Sequence, residues 1–312
     1  MEKRLGRTAV GSDYAALTRK QAAGKSAEES KTQYYQKPVR PEEKRKIRMK
    51  ITVSKLRKMK QEGQRIVMLT AYDAPTAHLA EACGIDLLLV GDSLGMCVLG
   101  YQNTLQVTLE ESLHHCKAVR RGAPDSFIIG DMPFMTMHAS ERDALLNAAR
   151  YLQEGGCDAV KIEGDSALAP TVERMVHAGI PVMGHVGLLP QHIKTAGGYR
   201  ISGKTEDSAA RVLADARAME DAGAFAVVLE CVPAELARTV TEALSIPTIG
   251  IGAGPYCSGQ VQVVNDTLGF FNGPKPKHAK QYANLNDIIQ KALTEYAAEV
   301  RSGTFPDEEH SF

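Results

Sequence analysis

Six ionisable side chains stand where short aliphatic runs end. Asp92, followed by Ser93, comes just after Leu87–Val90, and Asp131 comes just after Phe127–Gly130. Lys161 and Glu163 close the run that begins at Ala159, His185 follows Val182–Gly184, and Glu230 follows Ala226–Leu229. In an extended chain, residues two apart share a face, so Lys161 and Glu163 point the same way. If that face is the inside of a sheet, their charges are buried and must pair or hold a metal ion. Each residue also has an ordinary explanation. An Asp just past a strand caps a helix or shapes a turn, and Lys161 with Glu163 makes a plain ion pair. Charged strand ends in such succession weigh instead toward one shared site.

The chemistry these groups support is that of a carbon acid. Asp92, Asp131 and Glu163 are hard oxygen donors without a Cys-x-x-Cys or paired-histidine motif, which selects magnesium over zinc or copper. A 2-oxo acid offers such an ion two oxygens, and the ion steadies the enolate charge left when the neighbouring carbon loses a proton. Lys161 and His185 suit the substrate carboxylate, and Ser93 adds a hydrogen bond. Glu230 is left as general base. Lys161 as a Schiff-base amine is an alternative, although nearby carboxylates favour its charged form.

Positioning these groups calls for parallel strands covered on both faces. From Lys50 onward, helix-periodic segments end at Gly84, Gly156, Gly179 and Gly223, and an aliphatic run follows each glycine. Strands are expected at Ile66–Thr70, Leu87–Val90, Phe127–Gly130, Ala159–Ile162, Val182–Gly184, Ala226–Leu229, Thr248–Gly250 and Val261–Val264. Helices are expected at Ala74–Cys83, Leu109–Arg120, Ser140–Gln153, Ala167–His177, Thr205–Ala222, Ala234–Leu244 and Asn286–Arg301. This alternation predicts a (β/α)₈ TIM barrel with reactive groups at the C-terminal strand ends; a doubly wound open sheet is the alternative. No G-x-G-x-x-G follows the first strand, so dinucleotide binding lacks support.

The 312 residues are 44% hydrophobic and 24% charged, enough for one large core. Met1–Lys50 holds 14 Lys and Arg against 6 Asp and Glu, leaving 23 against 31 in the acidic remainder. We therefore expect a disordered basic extension over residues 1–48, a catalytic domain over residues 49–312, and no nucleic-acid surface. The six cysteines read as small buried hydrophobes of a reducing compartment. No membrane span or secretory leader is visible, so a cytoplasmic location is expected. Gly250–Gly254 reads as a tight turn before a phosphate cradle, His114 and His115 as surface or core residues, and Gly197-Gly198-Tyr199 as a possible flap. His138 lies in the loop after the third strand without support for a role at the rim.

The chain from Lys50 to Phe312 resembles the ketopantoate hydroxymethyltransferase family. The resemblance rests on Thr70-Ala71-Tyr72-Asp73, Val90-Gly91-Asp92-Ser93-Leu94-Gly95-Met96, Asp131-Met132-Pro133-Phe134-Met135, Val160-Lys161-Ile162-Glu163-Gly164, Gly184-His185-Val186-Gly187-Leu188, Val228-Leu229-Glu230-Cys231-Val232-Pro233 and the tail Glu308–Phe312. It implies a barrel of the phosphoenolpyruvate/pyruvate type and hydroxymethyl transfer from 5,10-methylenetetrahydrofolate to 3-methyl-2-oxobutanoate, giving 2-dehydropantoate. It further implies magnesium at Asp92, Asp131 and Glu163. Substrate contacts would fall at Asp92, Ser93, Asp131, Lys161 and His185, with Glu230 as proton acceptor. A homo-oligomer, often a decamer with its last helix exchanged between subunits, is also implied. The rival reading is another magnesium-dependent 2-oxo-acid carbon–carbon lyase, whose usual Lys-x-x-Cys-Gly-His loop is missing here. A non-enzymatic barrel scaffold is the remaining alternative.

Overall fold

A computed structural model describes residues 50–270, 273 and 276–312. The expected extension over residues 1–48 lies outside the described residues. Lys50–Phe312 forms one compact unit. Its eight parallel strands are β1 (Ile66–Thr70), β2 (Leu87–Val90), β3 (Phe127–Asp131), β4 (Ala159–Glu163), β5 (Val182–Gly187), β6 (Ala226–Glu230), β7 (Thr248–Ile251) and β8 (Gly259–Gln262). They follow one another in sequence order, and β8 pairs with β1 to close the barrel. The open-sheet alternative is thereby set aside.

The helices are α1 (Val53–Gln61), α2 (Ala74–Ala82), α3 (Leu94–Cys97), α4 (Leu109–Gly122), α5 (Glu141–Gln153), α6 (Ala169–His177), α7 (Ile193–Ala196), α8 (Glu206–Asp221), α9 (Ala234–Ala243), α10 (Val264–Leu268) and α11 (Leu285–Ser302). Side chains accept backbone hydrogen bonds at several starts, including Asp73 before α2, Ser140 before α5 and Thr205 before α8. Thr108 and Glu111 form a reciprocal capping box on α4.

Period-two alternation splits the apolar residues into two layers. Leu88, Val90, Ile128, Val160, Ile162 and Val182 face outward and pack with the helices. Met68, Leu87, Leu89, Ile129, Ala159, Met183, Val228 and Ile249 fill the barrel interior. Ile51, Leu56 and Met59 join this inner cluster, so α1 and the short segment leading into it seal the end where the strands begin. Phe127 and Phe225 meet edge to face there, with ring centroids 5.8 Å apart.

Two departures from the sequence reading concern covering and exposure. Only Cys116, Cys157 and Cys257 are buried; Cys97 and Cys231 are half-buried and Cys83 is exposed. The outer face of β1 and β8 is thinly covered: Val67 is 47% exposed and Gln260 is exposed. The short α10 cannot span that flank, and no residue of α11 is buried.

At the sealed end, Lys60 of α1 donates from Nζ to the carbonyls of Thr241, Leu244 and Ile246 at 2.7–2.8 Å. It satisfies carbonyls at the end of α9 that have no helical partner. Lys60→Met should remove about 2 kcal/mol of unfolding free energy, since hydrogen bonds from a charged donor are lost. Urea denaturation checks this: an unchanged midpoint would count against the lysine's role.

Candidate active site

Strand register brings the expected residues together. Asp131 stands beside Lys161 across the β3–β4 pair, and Glu163 stands beside His185 across the β4–β5 pair. On β6, Glu230 lies beside Gly187. Each belongs to the inward-facing row of its strand, two positions beyond Ile129, Ala159, Met183 or Val228, with Glu163 a further two beyond Lys161. The final turn of the barrel interior is therefore charged above an apolar floor. Asp92, Asp131, Lys161, Glu163 and His185 are only 1–5% exposed, whereas Glu230 is half-buried. They line, with Ser93, Tyr199 and Glu230, a cavity of about 430 Å³.

The contacts define each group's state. Lys161 Nζ lies 2.7 Å from Asp131 Oδ1 and 3.2 Å from His185 Nδ1. An ammonium can only donate, so Nδ1 accepts and the neutral ring carries its proton on Nε2. Nε2 faces Glu230 Oε2 at 3.2 Å, though without the alignment of a full hydrogen bond. The backbone N–H of Asp92 donates to Asp131 Oδ2 at 3.0 Å. Ser93 Oγ is 2.8 Å from the hydroxyl of buried Tyr72. Behind the site, Tyr151 donates its hydroxyl to the Asp131 carbonyl at 2.7 Å, fixing the strand end.

Crowding of like charges in a buried place shifts the titrations. Burial, and then the neighbouring Asp131 charge, push the Asp92 carboxyl up to about 7. Burial and the Asp92 charge raise Glu163 well above the usual carboxylate range. Burial opposes the Lys161 charge, but Asp131, Asp92 and Glu163 together hold the ammonium above its ordinary range. A Schiff-base amine needs the neutral form, so this environment disfavours that alternative. Burial and the Lys161 charge lower the His185 pKa, in agreement with a neutral ring.

The donor set fits a hard dication. Three buried carboxylates face one ammonium, an excess of negative charge that a divalent cation offsets. Glu163 Oε2 has no hydrogen-bond partner, and Asp131 Oδ1 has only its ion pair. Among the described residues, no three His, Cys, Asp or Glu side chains already stand at metal-ligand spacing. Magnesium does not demand such a cage, because it commonly binds one or two carboxylates and completes its shell with water and substrate.

The ordinary readings hold elsewhere. Asp73 and Asp165 are helix caps, whereas Asp92 makes no such bond to α3. His115 Nδ1 is 2.6 Å from the Tyr72 carbonyl, and His114 is exposed. His138 lies in a separate pocket with His192. Gly252 and Gly254 have positive φ, as a tight turn requires, and a Cβ on Gly254 would stand 2.5 Å from that of Ala234. Two residues of the site were not singled out for it from the sequence. Tyr72 entered only within a matching stretch. Gln191, which bonds both Asp92 and Glu163, carries a neutral amide that a search for titratable groups passes over.

Comparison with known proteins matches residues 50–308 to the family model described as ketopantoate hydroxymethyltransferase. A relative from Heliobacterium modesticaldum, named 3-methyl-2-oxobutanoate hydroxymethyltransferase, is 56% identical over 263 residues, covering 84% of this chain and 95% of that one. One of the same name from Moorella thermoacetica is 54% identical over 265 residues, covering 85% and 98%. Among solved structures, a phosphonopyruvate hydrolase in complex with oxalate and magnesium is similar in fold, with a TM-score of 0.55 at 13% identity over 83% of this chain and 93% of that one. A 2,3-dimethylmalate lyase of the PEP mutase/isocitrate lyase superfamily gives 0.54 at 19% identity, covering 83% and 91%.

Removing the one ammonium that the described residues place in this layer tests the charge balance. Lys161→Met should cost about 3–5 kcal/mol at pH 8 without metal, as when one partner of a buried pair is lost. The sign with pH follows from the raised carboxyls. A carboxyl whose folded pKa exceeds its unfolded value supports the fold fully below about 4 and loses that contribution as pH rises toward about 7. Lowering the pH to 5 should therefore shrink the deficit. Denaturation at both pH values, with chelator present, checks this, and an equal deficit at each would contradict the electrostatic account.

Proposed function

The chain belongs to the ketopantoate hydroxymethyltransferase family, and from that premise we infer that it is an enzyme transferring a hydroxymethyl group onto 3-methyl-2-oxobutanoate in pantothenate biosynthesis. We propose further that the donor is 5,10-methylenetetrahydrofolate, that the product is 2-dehydropantoate, and that magnesium is required. The observation carrying this finer reading is the buried layer of Asp92, Asp131, Glu163 and Lys161, bordered by His185 and Glu230 at one cavity. The lyase alternative draws only on fold likeness at low identity, which does not fix a reaction.

Asp92, Asp131 and Glu163 would hold magnesium. When bound, the ion would supply positive charge that stabilises the charge developing on the substrate. The other roles belong to the chain. Lys161, kept charged, attracts the substrate carboxylate, and Ser93, backed by Tyr72, offers a hydroxyl. Asp92 and Asp131 border the same substrate position. Glu230 takes the proton from the carbon next to the ketone, and that carbon bonds to the methylene as both carbon–nitrogen bonds to the folate break; water supplies the hydroxyl, and tetrahydrofolate leaves with one proton from that water and the one Glu230 took. His185 turns Nε2 toward Glu230 at 3.2 Å, and the same ring lines the cavity that would hold the substrate.

We also read residues 49–312 as the catalytic domain and the cytoplasm as its location. Among the described residues, no helix is long and apolar enough to cross a membrane. A homo-oligomer, with the decamer as its expected size, would cover the exposed Ile288, Leu293, Tyr296 and Val300 of α11, and an exchanged helix suits the bare flank of β1 and β8. Light scattering reads the subunit number.

The direct test supplies purified protein with 3-methyl-2-oxobutanoate and the folate donor, with and without magnesium. Product should form only with all three, and cleavage of a 2-hydroxy acid without folate would favour the lyase instead. Glu230→Gln should leave magnesium and keto-acid binding nearly intact and slow turnover by ~10²-fold or more; wild-type turnover would remove Glu230 from its role. Asp131→Asn should weaken magnesium binding in calorimetry, and an unchanged affinity would remove it from the ligand set.

A further inference from the structure

Gln191 sits in the short 3₁₀ turn Pro190–His192 that follows β5, and it is 3% exposed. It joins three other rim segments at once. Its Nε2 donates to Asp92 Oδ2 and to the Met132 carbonyl, each at 3.0 Å. Its backbone N–H donates to Glu163 Oε1 at 2.6 Å. Both amide protons of the side chain are thus committed. Reversing the amide would set Oε1 against a carboxylate and a carbonyl, acceptor against acceptor, so these partners fix its orientation.

A neutral donor is what this place calls for. Asp92, Asp131 and Glu163 already share the Lys161 ammonium, and a second cation would offset the negative charge that attracts a dication. Another acid would deepen the repulsion that already raises Asp92 and Glu163. An amide satisfies one oxygen of Asp92, and the backbone beside it satisfies one oxygen of Glu163, with no change in net charge. Pro190 borders the cavity, while Gln191 itself is not among the residues lining it.

We propose that Gln191 is a positioning residue for the magnesium site. It pins one oxygen of Asp92 and one of Glu163, and so fixes which oxygens of the two carboxylates remain for the ion. This rests on the reading that those carboxylates hold magnesium. The side-chain and main-chain donors of one residue thus act on two carboxylates that come from different strand ends.

Magnesium alone, titrated by calorimetry into chelator-stripped full-length protein, tests the proposal without turnover. Gln191→Met keeps the length and the backbone donor but removes the amide. It should bind magnesium roughly 10- to 100-fold more weakly, the range seen when partners of metal ligands are lost. In steady-state assays, the magnesium needed for half-maximal rate should rise, and saturating magnesium should restore most of kcat. Wild-type or tighter magnesium affinity in a folded variant overturns the proposal, as does a loss of kcat that saturating magnesium leaves unrestored. If the wild-type protein itself fails to bind magnesium, the underlying metal reading falls instead. Should Gln191→Met not fold, Gln191→Asn, whose amide is one methylene short, enters the same titration, where wild-type affinity again overturns the proposal.

Discussion

Three carboxylates and one ammonium share the buried end of the barrel, and their unequal charge is the constraint around which the neighbouring structure is organised. An isolated ion in such a place is costly, and mutual attraction compensates only when the remaining lone pairs also find partners. The chain meets that requirement from several directions. Lys161 bonds to Asp131, the backbone of Asp92 bonds to the other Asp131 oxygen, and Gln191 reaches Asp92 and Glu163. What stays uncompensated is net negative charge, placed where the proposed reading also puts a reactant carrying a carboxylate. A hard cation would reconcile the two, because it attracts both sets of oxygens.

The barrel converts sequence distance into adjacency. Asp92 and Glu230 come from strands far apart in the chain, yet parallel register lays successive strand ends side by side in a ring. Small supporting contacts then set the angle of each side chain. Tyr151 fills the space over Gly130, where an added Cβ would lie 2.1 Å from its ring, and its hydroxyl reaches the Asp131 carbonyl. Cys231 follows Glu230 with φ of +48°, an uncommon backbone state for a non-glycine residue at the rim of a site.

Much of this was legible from residue order because the barrel rests on two periodicities. Alternation identified Lys161 and Glu163 as sharing a face, and the charged strand ends marked the rim. Several strands run one or more residues farther than their apolar runs, since Asp131, Glu163, His185 and Glu230 continue the ladder while carrying polar groups. The eighth strand was displaced: Gly259 approaches the Ile66 carbonyl too closely for a side chain, and the apolar Val264 opens α10 instead. Helix α1 escaped notice because its lysines mask a stripe of only Leu56 and Met59. Gln191 was hidden for a different reason. Its importance lies in the direction of two neutral donors, which residue type alone does not reveal.

The plug formed by Ile51, Leu56 and Met59 beneath the inner core has a kinetic implication. With the floor closed, reactants would reach the inner polar groups from the rim. On the proposed reading, the small keto acid would lie beside the deepest polar groups, and a bulky pterin above it would block the passage. If both reactants bind as proposed, traffic would be single-file: the smaller molecule would enter first, and the larger would depart before the new carbon skeleton could leave.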